Sequence, residues 1–407
     1  MRSKNILCAD FVVVGAGILG LTVASQLHDR HPTARIVVIE KEPTVGLHAS
    51  GRNSGVLHSG IYYPTGSLKA NFCAEGARRM REYCRTNALP CQSIGKVIVP
   101  TDPADMDTLM MLYERGRANG VQVELVDDKQ LRELEPATRS VTARALFVPE
   151  TAVVDPKAIV VHLFQQLQAK GVAFLFNARC ESIDTSTRSL VTPCQTISYN
   201  HLVNTAGLYA DRIAARCGLQ KKYTMLPFKG IYYELHPASP LQVNRLIYPV
   251  PDMNVPFLGV HFTKSVHGKL YAGPTAIPAL GREQYQGLKG FKMGEAGEAL
   301  YHVMRQYKHG EQGFRAYAHK EIGRFLKSRF VAAAQVLIPA IRSRDLVSSK
   351  KVGIRAQLLD ILNRQLVMDF LTEQTSHETH VLNAVSPAFT SSFRFSEQVV
   401  DLIDATL

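Results

Sequence analysis

Tryptophan is absent from the 407 residues, and cysteine is scarce, with seven. The cysteines stand at 8, 73, 84, 91, 180, 194 and 217, an odd set without a C-x-x-C pair. That excludes a disulfide framework or a structural zinc site and fits a reducing cytoplasm. No group of histidines has metal-ligand spacing, so no metal is expected. Long apolar runs are missing too, none approaching the ~18 residues of a membrane-spanning helix. Acidic residues are the minority, 35 against 47 basic, for a net charge of +12. What remains, 46% hydrophobic and 20% charged residues, is the composition of a globular chain and excludes a disordered or collagen-like one. Arg2 and Lys4 ahead of an apolar stretch to Ala24 imitate a secretory leader. Asp10 and three regularly placed glycines mark that stretch as folded core instead, and the roughly nine residues before the first strand are too few for a transit peptide.

Phe11 to Val14 is a β-branched and aromatic run of the kind a buried parallel strand needs. Gly15-Ala16-Gly17-Ile18-Leu19-Gly20 follows at once, then a helical pattern to Leu27, Pro32 in the turn, and a second apolar strand, Arg35 to Glu40. This is a βαβ opening with a G-x-G-x-x-G turn. Gly15 permits the tight strand-to-helix turn, Gly17 lets a pyrophosphate reach the backbone, and Gly20 lets the helix pack on the sheet. Ile18 and Leu19 lie between them, at the positive end of the helix dipole. Glu40, twenty residues past Gly20, can accept hydrogen bonds from an adenosine ribose. Lys41 beside it would suit a 2′-phosphate, which Glu40 repels. The reading is a dinucleotide site.

A helix is expected over Leu68 to Arg85, in a mixed helix and loop stretch reaching Pro149. A second βα unit runs from Pro156 (helix to Lys170) through Val172 to Asn177, and the short strand Leu202 to Asn204 leads into Thr205-Ala206-Gly207. Four strands with short loops follow: Gly230 to Leu235, Leu246 to Tyr248, Phe257 to Thr263 and Lys269 to Gly273. The fold class is therefore α/β, a discontinuous Rossmann-like domain (1–90, 150–220 and 350–407) with an inserted antiparallel-sheet domain (91–149 and 221–349). Residues 301–355 hold twelve basic and three acidic residues. Within them Ile322, Phe325, Leu326, Phe330, Ala333 and Leu337 recur at helical spacing, so one basic amphipathic helix is expected over Lys320 to Leu337. A short helix, Phe395 to Ile403, closes the chain.

FAD and NAD share the glycine turn, and the next segment separates them. Residues 47–60, LHASGRNSGVLHSG, are rich in Gly, Ser and Asn and offer donors over a long loop, Ser50, Arg52, Asn53, Ser54 and Gly55 among them. A flavin's ribityl chain and ring need such threading; a nicotinamide dehydrogenase does not.

These motifs, VVGAGILG, SGRNSGVLHSGIYY, VNTAGLYADRIA, LIYPVPDMNVPFLGVHF and NAVSPAFTSSF, together resemble the L-2-hydroxyglutarate dehydrogenase/oxidase family, among the FAD-dependent oxidoreductases related to D-amino-acid oxidase. The resemblance runs in order over nearly the whole chain. It implies FAD extended in the Rossmann-like domain with its ring at the domain interface. It carries over Gly15, Gly17, Gly20 and Glu40 for the ADP half and Asn53, Ser54 and Gly55 for the flavin side. Cys180 and Thr205-Ala206-Gly207 match further FAD-contacting positions, and Ser391 and Ser392 a C-terminal loop that closes over the flavin. Gly353-Ile354-Arg355 resembles the element whose Arg grips a substrate carboxylate.

Oxidising a 2-hydroxy acid moves hydride from C2 to the flavin while the hydroxyl proton leaves, which asks for a base, a carboxylate clamp and rigid positioning. Arg355 is the expected clamp, since a guanidinium fork holds both oxygens. His58, in the flavin-side loop, is the expected base, with His261 as the second candidate. Tyr63 and Lys229 are candidates for the distal carboxylate or the hydroxyl. The expected substrate is a small 2-hydroxy dicarboxylate, L-2-hydroxyglutarate, and the product its 2-oxo acid. An amino acid or glycerol 3-phosphate as substrate, or a non-catalytic or RNA-modifying flavoprotein, are the rival readings. Free FAD is preferred over covalent attachment through His48 or His58. The reduced flavin would pass its electrons to oxygen, quinone or another protein; the basic helix suits an anionic membrane and quinone, giving a cytoplasmic protein held peripherally at the inner membrane, while the preferred reading is a solvated helix whose stripe packs on its own domain. No motif accompanies the charge to suggest nucleic acid.

Overall fold

The computed structural model describes residues 6–219, 221–253, 258–287, 289–310, 313–324 and 326–407. Arg2, Lys4, Phe257 and Phe325, and the side chains of Lys320 and Ile322, lie outside the described residues. The chain forms two compact units, one of residues 1–52, 156–226 and 356–407, the other of 53–155 and 227–355. Residues 53–90, expected with the Rossmann-like segments, fall in the second unit. The reason is local: Val56–Leu57 pairs with Ala152–Val154, which pairs in turn with Cys91–Ser93.

The first unit is built on Ile6–Val14, whose inner residues Val12 and Val13 have no exposed surface. Ile36–Ile39 pairs parallel on one side of it and Thr196–Asn204 on the other; Ala173–Leu175 and Glu378–Asn383 extend the parallel run. Strands buried on both faces read as unbroken apolar runs, which is why they were visible in the sequence. The helix Ile18–Arg30 lays Leu21, Val23, Ala24 and Leu27 into the core. Its last turn is held by Arg30, which bridges Asp401 (2.7 Å) and Asp404 (2.8 Å) of the final helix. That helix spans Ala388–Asp404, so Ser391 and Ser392 are helical rather than in a loop. The Ser/Thr-rich segment 390–392 favours turns in isolation. Here all three residues are buried, and packing decides.

In the second unit one sheet runs in the order Glu124–Asp127, Arg144–Val148, Lys96–Val99, Leu246–Pro249, His261–Lys264, Leu270–Gly273, Tyr223–Leu235 and Leu346–Asp360. Three of these strands come from the stretch read as helix and loop. They are short, and Lys96 interrupts the hydrophobic signal of KVIV. The alternation of side chains gives the sheet two buried faces. Val97, Val99, Ile247 and Phe262 meet Phe330, Val331, Ala334 and Leu337 on one. Ile98, Leu246 and Tyr248 meet Ile61, Tyr62, Leu109 and Leu112 on the other. The expected basic helix is thus two, Phe314–Gly323 and Lys327–Gln335, and its stripe from Phe330 to Leu337 is core, while Leu326 is exposed. Gly323 ends the first helix, as a residue of low helix propensity can.

Two buried imidazoles sit in the first unit's sheet. His201 Nε2 lies 2.9 Å from Thr379 Oγ1, and Asn204 Nδ2 donates to His380 Nδ1 at 3.1 Å. Burial first, and then a neighbouring histidine, lowers each to about 4. A native value below the unfolded one means the unfolded chain binds protons first, so stability falls as pH drops from about 6.5 towards 4. Each ring accounts for about 2 kcal/mol lost by pH 5. Thermal melts at pH 7 and 5 should show that loss in the parent protein, and a smaller one in His380→Gln.

Candidate active site

The glycine turn of the first unit is fixed by steric necessity. A Cβ on Gly20 would stand 1.9 Å from the carbonyl oxygen of Gly15, inside the turn itself. Gly15 has φ +108° and its pro-Cβ direction points at Thr205 O, 2.9 Å away. A Cβ on Gly17 would meet Ser50 Oγ, also at 2.9 Å, and that same hydroxyl accepts a hydrogen bond from Ile18 N at 2.9 Å. Ile18 and Leu19 are buried. The first helical turn therefore presents backbone at its positive end, where a diphosphate binds.

Glu40 ties this turn to the second strand. One carboxylate oxygen accepts from Ala16 N (2.9 Å) and the other from Glu42 N (3.0 Å). A carboxylate has about four lone-pair positions, so capacity remains for ribose hydroxyls. Lys41 is engaged by Glu42 and by His48 (2.9 Å). Arg52 Nε donates to Leu47 O at 2.8 Å and so braces its own loop. Thr205 Oγ1 donates to Val14 O at 3.0 Å, Ala206 N to Asn204 Oδ1 at 3.2 Å, and Gly207 turns the chain at φ +54°. Cys180 is a core residue, its carbonyl accepting from Arg216 at 2.6 Å. Ser391 Oγ and Ser392 Oγ are buried, with no hydrogen-bond partner among the described residues. Bare backbone at a helix N-terminus and a carboxylate at the strand end fit the ADP-bearing half of FAD.

In the second unit Asn53 Oδ1 accepts from Gly55 N at 2.8 Å, an Asx turn that shapes the start of the loop, and Ser54 O accepts from Lys351 Nζ at 3.4 Å. His58 follows the strand Val56–Leu57. It keeps part of its surface open while its Nδ1 is buried. Burial pushes His58 down to about 3, helped by the charges of Lys96, His261 and Arg355. His261, only 5% exposed, is held to about 4, by burial first and then against the pull of its bond to Gly259. That bond, Nδ1 to Gly259 O at 2.8 Å, must be donated by the ring, since a carbonyl can only accept. Nε2 of His261 is therefore the lone-pair nitrogen. Tyr248 covers the ring at 4.2 Å between centroids.

Burial also draws Arg355 below the ordinary guanidinium value, with Tyr317, Tyr232 and Tyr63 acting against it. The expected residues His58, His261, Arg355 and Tyr63 are thus brought within electrostatic reach of one another. Lys229 is not: its strand position pairs with Ile277, burial alone lowers it, and no described interaction joins it to the others. Sequence reasoning missed Lys96, Tyr62 and Tyr248. The available signal was a lysine at an inward position of an otherwise apolar strand.

The family model described as FAD dependent oxidoreductase matches residues 10–402. Curated relatives include L-2-hydroxyglutarate dehydrogenase of Escherichia coli strain K12, 33% identical over 98% of this chain and 94% of that protein. The mitochondrial L-2-hydroxyglutarate dehydrogenase of Homo sapiens is 34% identical over 98% of this chain and 89% of its own length. Among solved structures, L-alpha-glycerophosphate oxidase from Mycoplasma pneumoniae with FAD bound superposes with a TM-score of 0.76 at 18% identity, covering 98% of this chain and 95% of that one. Glycine oxidase from Geobacillus kaustophilus gives 0.73 at 18% identity, covering 98% and 96%. These two share the fold.

Gly20→Ala should abolish flavin retention, because its methyl group cannot coexist with the Gly15 carbonyl. Absorbance near the flavin bands of the purified variant, against its far-ultraviolet circular dichroism, checks this; a yellow, fully loaded Gly20→Ala protein would refute the assigned cradle.

Proposed function

The chain belongs to the FAD dependent oxidoreductase family, and from that premise we propose that it oxidises L-2-hydroxyglutarate to 2-oxoglutarate. The observation that carries the reading is the gathering of one guanidinium and two neutral imidazoles in a single desolvated cluster of the second unit. A bound flavin would supply the acceptor for the C2 hydride. Gly15, Gly17, Gly20, Glu40, Ser50 and Thr205 to Gly207 would hold its ADP half, and Asn53 to Gly55 the flavin side.

Arg355 takes the carboxylate next to C2. Its planar fork fixes both oxygens and hence the direction in which the C2 hydrogen points. His58 takes the hydroxyl proton. It is the imidazole with open surface, whereas Tyr248 covers His261. A base held near 3 is weak at rest, but part of what holds it there is the charge of Arg355. A carboxylate seated on Arg355 cancels that charge and so raises the basicity of His58 when substrate arrives. His261, its tautomer locked by Gly259, offers Nε2 as an acceptor towards the same hydroxyl and is the second candidate. Tyr63 adds a phenol beside Arg355.

For the electron acceptor the proposed partner is a membrane quinone, reached by peripheral docking on anionic lipid. The helix Met293–His309 favours this. It buries Glu295, Ala299, His302 and Gln306 and turns Met293 (84% exposed), Leu300 (53%), Tyr301 (57%) and Met304 (57%) outward. Lys292, Arg305 and Lys308 lie at or on the same helix, and each basic side chain near such a surface adds roughly 1 kcal/mol. Among the described residues no helix is long and apolar enough to cross a membrane. The outward apolar face is therefore one helix earlier than the stripe expected from sequence.

Arg355→Met should raise KM for L-2-hydroxyglutarate roughly 30- to 100-fold, the worth of a charge-assisted bidentate contact. His58→Asn should slow flavin reduction about 100-fold or more with flavin still bound. Stopped-flow bleaching of the flavin measures both; an unchanged reduction rate in His58→Asn moves the base to His261. Co-sedimentation with phosphatidylglycerol vesicles should be lost in high salt and in Leu300→Asp/Met304→Asp, and equal binding to neutral vesicles would end the membrane reading.

A further inference from the structure

Lys96 lies in the middle of the second unit's sheet, its backbone paired with Leu246 on one side and Val148 on the other. The residue has no exposed surface, and its Nζ finds no hydrogen-bond partner among the described residues. Two aromatic rings cover the ammonium: Tyr62, with its centroid 4.5 Å away, and Tyr248, at 5.5 Å. The phenol oxygen of Tyr62 is itself buried without a described partner, as is Ser59 Oγ three residues earlier. Leaving a donor buried and unmet costs about as much as a lost hydrogen bond, and for a charged group more. The groups left unmet here are an ammonium, which can only donate, and two hydroxyls free to do so. What they lack is an acceptor.

The groups facing Lys96 do not supply one. Among the described residues Cys73, on the helix Leu68–Thr86, is the only ionisable neighbour whose charge would favour the ammonium, and burial pushes that thiol up to about 12, so it stays neutral. His58 and His261 feel the Lys96 charge as repulsion, and both are neutral at working pH. Burial accordingly lowers Lys96 itself to about 7. Its face of the sheet also carries Tyr248 and His261, and His58 is repelled by both Lys96 and Arg355.

We propose that Lys96, with the hydroxyl of Tyr62, is the subsite for the second carboxylate of the substrate and makes the enzyme selective for dicarboxylic over monocarboxylic 2-hydroxy acids. The assignment rests on the 2-hydroxy-acid reading above and adds to it a division of labour. Arg355 holds the carboxylate at the reacting carbon, and Lys96 the distal one. An amine that is largely neutral in the free enzyme above pH 7 must take a proton from solvent as the anion arrives, since only the ammonium attracts it.

Two measurements on the FAD-loaded protein decide the matter. Calorimetric titration with glutarate, a dicarboxylate lacking the hydroxyl, in buffers of different ionisation enthalpy should show uptake of roughly one proton per ligand at pH 8. Pentanoate should show none, and neither should Lys96→Met with glutarate. Independently, the ratio of kcat/KM for L-2-hydroxyglutarate to that for L-2-hydroxypentanoate should fall roughly 10- to 100-fold in Lys96→Met and by a smaller factor in Tyr62→Phe. In the parent protein kcat/KM for the dicarboxylate should decline above about pH 7, a limb absent for the monocarboxylate. Lys96→Met replaces an unmet charge by an apolar group of similar length, and Tyr62→Phe keeps the ring, so flavin content and melting temperature verify that both fold. Proton uptake that persists in Lys96→Met, or a selectivity ratio within threefold of the parent in both variants, overturns the subsite. Should no 2-hydroxy acid bleach the flavin, the substrate reading fails, while glutarate uptake still confirms or refutes Lys96 as an anion site.

Discussion

Burial of ionisable groups beside one another governs the electrostatics of the second unit. Lys96 and Arg355 are both lowered by burial, and both press on His58. Burial is the largest cause of both the neutral imidazoles and the lowered amine, and the charges of Lys96 and Arg355 add to it at His58 and His261. Charges placed this way are costly in the free protein and become favourable when an anion arrives. In the proposed mechanism binding and activation are one event, because the carboxylate that neutralises Arg355 also raises the basicity of His58.

The first unit solves a different problem. Its cradle is rigid by exclusion: a methyl group on Gly20 would collide with the Gly15 carbonyl, and Glu40 clasps the turn through two backbone N–H groups. Nothing there needs to move or titrate. The contrast suits a coenzyme that stays through many turnovers and a small acid that comes and goes.

How much of this was legible in the sequence depended on whether neighbours in the chain carry the signal. The opening βαβ unit, the helices Leu68–Thr86 and Pro156–Ala169 and the strands from Leu246 to Gly273 announce themselves by apolar runs and turn residues. Arg355 was singled out through motif resemblance, and His58 and His261 through their places in the flavin-side loop and at an antiparallel strand. Lys96 was not, because its importance arises from strands and loops far apart in the chain closing over it, and a single lysine beside Val97 and Ile98 reads as a strand edge. The stripe from Phe330 to Leu337, open in the sequence to a lipid surface or, in preference, to packing on its own domain, lies in the core; periodicity reports that a face is apolar and not what covers it. The same limit hid the outward-facing methionines and leucine of Met293–His309.

The first unit is assembled from three separated stretches of chain, with Glu378–Asn383 joining its parallel sheet and Ala388–Asp404 clasped to the opening helix through Arg30. The contacts of the opening helix with Ala388–Asp404 and of Thr196–Asn204 with Glu378–Asn383 span long separations in the chain, and the loop closure they demand makes the last layer of this unit slower to form than the local pairing of Ile6–Val14 with Ile36–Ile39.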